Sequence, residues 1–282
     1  MEYITLIKPF QLFKNIDNPD WVIVDSRFWL EDTEKGRRDY LAGHIPGAVY
    51  AHVDEDLSGH PVPGMTGRHP LPPIEEFAAK LSAWGIDSTV QVVVYDDRGG
   101  IIAGRLWWML RWLGHQAVAV LDGGFPRWER EGLPTTLDFP IQQPRLFEPH
   151  PQQGMVVNAD DILLRFGDPR YLLIDGRDPE RYRGEMEPID LVAGHIPGAV
   201  NVPFAENLDE NGNFKSKKEL QIRFKNFLGS IPAERTANYC GSGVTSVHNI
   251  LAMLHVGLGE GQLYLGSWSD WLTDPEHPIT TV

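Results

Sequence analysis

Cysteine is almost absent from this chain: Cys240 is the only one among 282 residues. A single thiol excludes an intramolecular disulfide framework and suits a reducing compartment, so a cytoplasmic protein is expected. Long apolar runs are missing as well. No stretch approaches the ~20 residues a membrane helix needs. The start, Met1-Glu2-Tyr3-Ile4-Thr5-Leu6-Ile7-Lys8-Pro9, has no basic stretch followed by an apolar core, so neither a signal peptide nor a membrane partner is expected. Positive charge is scarce: 25 Lys and Arg stand against 39 Asp and Glu, a formal charge of −14. Such a surface argues against nucleic acid as a partner. It also repels an anionic substrate, which makes any arginine near a site informative. Nor does the sequence set His, Cys and carboxylates at metal-ligand spacing, so no metal or organic cofactor is expected.

What the chain does have is repetition. Gly43-His44-Ile45-Pro46-Gly47-Ala48-Val49 returns unchanged as Gly194-His195-Ile196-Pro197-Gly198-Ala199-Val200. Val22-Ile23-Val24-Asp25-Ser26-Arg27 answers Leu172-Leu173-Ile174-Asp175-Gly176-Arg177. Val94-Tyr95-Asp96 answers Asn238-Tyr239-Cys240, and Gly123 with Trp128 answers Gly266 with Trp271. Landmarks in one order at nearly constant spacing mean a duplicated domain. The expected division is a first domain over residues 1–140, a Pro/Gln-rich linker over 141–155 and a second domain over 156–282. Within each copy, short Val/Ile/Leu strands alternate with helical patterns such as Ile74 to Trp84, Ile101 to Leu113 and Thr245 to Val256. That alternation predicts an α/β fold, each domain a mostly parallel sheet covered by helices on both faces. The repeated Gly-His-Ile-Pro-Gly-Ala turns read as fold-determining, with His44 and His195 as braces and Trp128 and Trp271 as core aromatics.

The copies differ at one position that matters. Cys240 opens Cys240-Gly241-Ser242-Gly243-Val244-Thr245, between a predicted strand Thr236 to Tyr239 and a predicted helix. Glycines in a short strand-to-helix turn let successive backbone N–H groups face the sulfur, and the helix start adds positive partial charge; both favour a thiolate. The first copy carries Asp96 there and has no nucleophile, so the second domain is expected to be catalytic and the first supportive.

Together these motifs resemble the tandem-domain rhodanese-type sulfurtransferases, the family of 3-mercaptopyruvate and thiosulfate sulfurtransferases. The resemblance spans nearly the whole chain: both Gly-His-Ile-Pro-Gly-Ala turns, Trp107-Trp108-Met109, the Cys240 loop and Gly266-Ser267-Trp268-Ser269-Asp270-Trp271. It implies two tandem rhodanese-like domains and transfer of a sulfane sulfur from mercaptopyruvate or thiosulfate, through a Cys240 persulfide, to cyanide or a thiol. It implies a relay of Ser242, Asp54 and His69 beside Cys240, and a carboxylate-gripping Arg181. Gly241, Gly243, Val244 and Thr245 would frame the bound donor. Arg177 is a further candidate contact, although Arg27 at the same place in the first copy points to a structural ion pair. One departure concerns the donor: Ile189 stands where mercaptopyruvate-type members carry a second arginine. With no second cysteine to resolve a persulfide, the acceptor must be external, either cyanide, a small thiol or a thioredoxin-like protein. Two alternatives differ in chemistry. A non-catalytic rhodanese-fold binding module would lack the cysteine. A cysteine phosphatase would need an arginine where Ser246 stands.

Overall fold

The computed structural model describes residues 2–282, which cluster into two compact units. The first comprises residues 2–59, Pro72–Gln152 and Glu210–Phe214; the second comprises His60–Leu71, Gln153–Asp209 and Lys215–Val282. Two short exchanges therefore depart from a cut at a single linker: His60–Leu71 packs with the second unit and Glu210–Phe214 with the first. Residues 143–152, expected to be linker, are tied to the first unit. Arg145 N–H donates to the Ser82 carbonyl at 3.0 Å, and His150 N–H to the Leu113 carbonyl at 2.9 Å.

In the first unit, β1 (Leu6–Ile7), β2 (Trp21–Asp25), β3 (Ala48–Tyr50), β4 (Gln91–Tyr95) and β5 (Val118–Leu121) form one parallel sheet in the order β1-β5-β4-β2-β3. Strand β4 reads Gln-Val-Val-Val-Tyr and is buried at every position, as a central strand of a covered sheet must be. Helices Ile74–Ala83 and Ala103–Trp112 fall where the apolar periodicity puts them. In the second unit, β6 (Val156–Val157), β7 (Leu172–Asp175), β8 (Val200–Asn201), β9 (Thr236–Tyr239) and β10 (Gln262–Tyr264) repeat the plan in the order β6-β10-β9-β7-β8, again all parallel. The helix after the cysteine loop is Val247–His255.

The repeated turn does the same work twice. Gly47 and Gly198 adopt φ of 81° and 83°, which an L side chain resists. His44 stacks on Tyr40 with ring centroids 4.0 Å apart, and His195 on Tyr182 at 3.7 Å. Each ring binds the carbonyl of that same tyrosine through Nδ1 at 2.8 Å. Each histidine braces its own turn. Trp128 and Trp271 are fully buried, their indole N–H groups donating to the Pro134 and Pro278 carbonyls.

Asp96, at the end of β4, shows what the strand-to-helix loop is built to hold. Its carboxylate accepts four backbone N–H groups: Arg98 and Gly100 on Oδ1 at 2.9 and 2.8 Å, Ile102 and Ala103 on Oδ2 at 2.8 and 2.9 Å. The side chain is wholly buried. The first copy is thus an anion cradle already filled by its own chain. Replacing Asp96 with Ala would strand those donors. Since an unmet buried donor costs about 1–3 kcal/mol, the expected loss is about 3 kcal/mol or more. It should appear as a lower urea midpoint at unchanged slope.

Candidate active site

Cys240 directly follows β9, the middle strand of its sheet, at the carboxyl end where ligands of parallel sheets bind. The strand end is braced by a buried polar network. Arg177 grips Asp175 through Nε and Nη2 at 3.0 and 2.6 Å and donates to the Gly194 carbonyl at 2.6 Å. Its remaining Nη1 reaches Glu187 at 3.4 Å, and its guanidinium lies 4.6 Å from the Trp268 ring. The Tyr239 hydroxyl accepts the Ile196 N–H at 3.2 Å. These Arg177 donors go to groups of the fold, and its side chain is 1% exposed. Arg27 does the same in the first unit, bound to Asp25 and the Gly43 carbonyl.

The backbone of Cys240 is pinned on both sides. Its N–H donates to Ser267 Oγ at 3.1 Å, its carbonyl accepts from Trp268 N–H at 3.0 Å, and Ser269 N–H donates to the Gly241 carbonyl at 2.9 Å. Ser267 has φ of 56°, the one non-glycine at positive φ among the described residues. Such a conformation costs about 1–3 kcal/mol and tends to mark a functional constraint. The Cys240 thiol is buried. Burial pushes it up, yet the Thr245 hydroxyl, the Ser242 and Ser246 backbone N–H groups and the Ser246 hydroxyl outweigh that and hold it below the ordinary thiol value. The Ser246 hydroxyl is near enough to act on the sulfur, yet makes no hydrogen bond of ordinary geometry. Gly243 has φ of 75°, and a Cβ there would collide with the Leu265 carbonyl, so this glycine is required by the backbone. Val244 is buried beside it. Gly243, Val244 and Thr245 thus shape the thiol's surroundings, while Gly241 has guanidinium groups next to it.

His60–Leu71 brings His69 to this loop: its Nδ1 lies 2.7 Å from Ser242 Oγ, and both side chains are about nine-tenths buried. Ser242 therefore points its backbone N–H at the sulfur and its hydroxyl at an imidazole. Asp54 belongs to the first unit, where its backbone N–H donates to His52 Nδ1 at 3.2 Å.

Arg181 lies in helix Pro179–Arg183 and is nearly buried. It donates to Glu187 through Nε and Nη2 at 3.0 and 2.6 Å, and to Asp190 Oδ2 at 3.1 Å. Arg68 binds the other oxygen of Asp190 through Nη1. A methyl group added at Gly241 would stand 2.8 Å from Arg68 Nη2 and 3.5 Å from Arg181 Nη2. Two guanidinium groups therefore face the residue after the cysteine in a loop that has no cation of its own. Arg68 escapes a reading of the sequence because it lies 172 positions before Cys240; its only local signal is adjacency to His69. Ile189, at the place of the missing arginine, is partly exposed and directs only its backbone N–H inward, to Glu187 Oε1 at 3.1 Å.

Fold and site define a duplicated α/β protein with an activated thiol in an anion-binding loop. The family model for the rhodanese-like domain matches residues 9–131 and 158–274, and this chain belongs to that family. It is 43% identical over 282 residues to a probable 3-mercaptopyruvate sulfurtransferase of Pseudomonas aeruginosa, covering 100% of this chain and 99% of the relative. It is 37% identical over 267 residues to a putative thiosulfate sulfurtransferase of Mycobacterium tuberculosis, covering 91% and 89%. Among solved structures, the 3-mercaptopyruvate sulfurtransferase from Leishmania major superposes with a TM-score of 0.83 at 32% identity, over 95% of this chain and 74% of that one.

The thiol's environment is directly measurable. Alkylation of Cys240 by iodoacetamide as a function of pH should report a midpoint below the ~8.5 of a free cysteine. Thr245→Val and Ser246→Ala each remove a hydroxyl that favours the thiolate, so each should move the midpoint upward. A downward or absent shift in both would show that these hydroxyls do not act on the sulfur.

Proposed function

We propose that this protein is a sulfurtransferase that carries a sulfane sulfur on Cys240. The observation that carries the reading is the chain's lone thiol at the carboxyl end of the middle strand, in a loop whose Ser242 hydroxyl lies 2.7 Å from His69 Nδ1. The Cys240 thiolate attacks the outer sulfur of an anionic donor and forms an S–S bond. With thiosulfate the old S–S bond breaks and sulfite leaves with the electron pair. With 3-mercaptopyruvate the C–S bond breaks and the enolate of pyruvate leaves, taking up a proton at carbon. Loop N–H groups stabilise the anionic persulfide as oxyanion donors do. An acceptor thiolate or cyanide then attacks the outer sulfur and regenerates the Cys240 thiolate.

The Ser242–His69 bond favours mercaptopyruvate as a donor in use. Sulfite leaves without needing a proton, whereas the enolate of pyruvate needs one, and an imidazole coupled to a hydroxyl supplies it. The part of Asp54 in that relay rests on its motif. Arg181 holds the donor's anionic group. The acceptor is external, a small thiol, a thioredoxin-like protein or cyanide, because the chain has one cysteine. That lone thiol also supports a cytoplasmic setting. Among the described residues, no helix is long and apolar enough to cross a membrane.

Incubation with either donor should add one sulfur atom to the intact protein, and Cys240→Ser should abolish both the adduct and turnover while leaving the fold in place. No adduct with either donor would overturn the reading. Ser242→Ala should slow mercaptopyruvate turnover by roughly 10²-fold, the scale of one positioned acid–base group, and thiosulfate turnover far less. Equal losses would remove the relay.

A further inference from the structure

The Cys240 loop contributes no cation, and the chain as a whole repels anions. Yet Arg68 and Arg181 converge on Gly241, tied together by the two oxygens of Asp190. Arg181 spends Nε and Nη2 on Glu187 and Asp190, and its Nη1 lies 3.7 Å from where a Gly241 side chain would begin. Arg68 spends Nη1 on Asp190. Its Nε is buried without a hydrogen-bond partner among the described residues, and its Nη2 faces Gly241. A buried guanidinium N–H left unpaired is costly. Here it lies on the residue beside His69, next to the loop that must receive an anion.

We propose that Arg68 is a donor-binding residue, supplying the second guanidinium that grips the anionic oxygens of the sulfur donor opposite Arg181, with Asp190 as the strut that spaces the two. The proposal rests on the sulfurtransferase reading for the identity of the anion. Carboxylate and thiosulfate oxygens both suit it, because each offers acceptors to a planar fork. Ile189 then needs no cationic replacement, since the charge arrives from His60–Leu71.

A purely anchoring role for Arg68, holding the segment that carries His69, makes the opposite kinetic forecast. If Arg68 grips the donor, Arg68→Gln should raise KM for both donors by about 10-fold or more, the scale of a lost charged hydrogen bond, while kcat changes less than about 3-fold. Arg68→Lys keeps the charge and loses the fork, so its KM should fall between the two; it also serves if the Gln variant folds poorly. A fall in kcat at unchanged KM, or no change in either, overturns the proposal. A second arm needs no sulfur donor: alkylation of Cys240 by iodoacetate relative to iodoacetamide. The ratio cancels access and thiol reactivity and reads local positive charge. It should drop several-fold in Arg68→Gln, and an unchanged ratio also overturns the proposal. If the unmodified protein forms no persulfide, the sulfurtransferase reading falls while this ratio still decides Arg68.

Discussion

Everything at the site depends on one constraint: a turn at the end of a central parallel strand whose backbone N–H groups face inward and must meet negative charge. The two copies answer it differently. In the first, Asp96 fills the turn with a carboxylate that takes four N–H groups. In the second, a thiol takes that place, and the loop holds it below the ordinary thiol value against the penalty of its own burial. The same backbone is structural in one copy and chemical in the other because a carboxylate is a well-satisfied, permanent occupant, whereas sulfur is a nucleophile that can be loaded and unloaded. The duplicated ion pairs Asp25–Arg27 and Asp175–Arg177 belong to this frame. Each sits on the neighbouring strand of the sheet, and the register that pairs Asp25 with Tyr95 pairs Asp175 with Tyr239, the residue before the cradle in both cases.

The closing turn shows how the frame was adjusted for a thiol. Gly124 and Ser267 occupy equivalent positions with the same φ of 56°. In the first unit glycine is compulsory, since a Cβ at Gly124 would run into the Asp96 carbonyl. In the second, a serine accepts the conformational cost and uses its hydroxyl to take the Cys240 N–H and bond the Tyr264 carbonyl. Strain of this kind persists only where surrounding bonds over-determine it. Its effect is to fix where the sulfur begins.

Much of this was legible from local pattern. The strand Thr236–Tyr239 falls at its expected residues, the repeated turn is structural as its Gly/Pro content implies, and the Asp96/Cys240 difference marks the chemical copy. Long-range placement was not legible. His69 reaches Ser242 across 173 positions and Arg68 reaches Asp190 across 122. No periodicity carries such distances; a family motif suggested the first pairing and nothing suggested the second. The affiliation of His60–Leu71 with the second unit was hidden for the same reason, because a Gly/Pro-rich loop has no hydrophobic face that declares its partner. Arg177 and Arg181 stand four positions apart and look alike in sequence. Their partners separate the one locked to Asp175, Gly194 and Glu187 from the one that borders the thiol loop.

The arginines beside the loop do not form a bare positive patch. Arg68, Arg177 and Arg181 are matched by Asp175, Glu187 and Asp190, so the network is formally neutral. Neutrality is what burial requires, since an unpaired guanidinium would be expensive. The two carboxylates nearest Arg181 are nonetheless unequal. Burial pushes Asp190 above the usual carboxylate range even with Arg68 and Arg181 beside it. Burial acts on Glu187 in the same sense, but the bonds from Arg181 and from the Asp190 and Ile189 N–H groups outweigh it and hold Glu187 low. Glu187 is therefore the fixed counter-charge and Asp190 the one whose charge is least well satisfied. Asp190 is also the carboxylate that Arg68 and Arg181 share, one oxygen each. In an acidic protein, pairing of this kind lets guanidinium groups sit beside the thiol loop without an uncompensated charge.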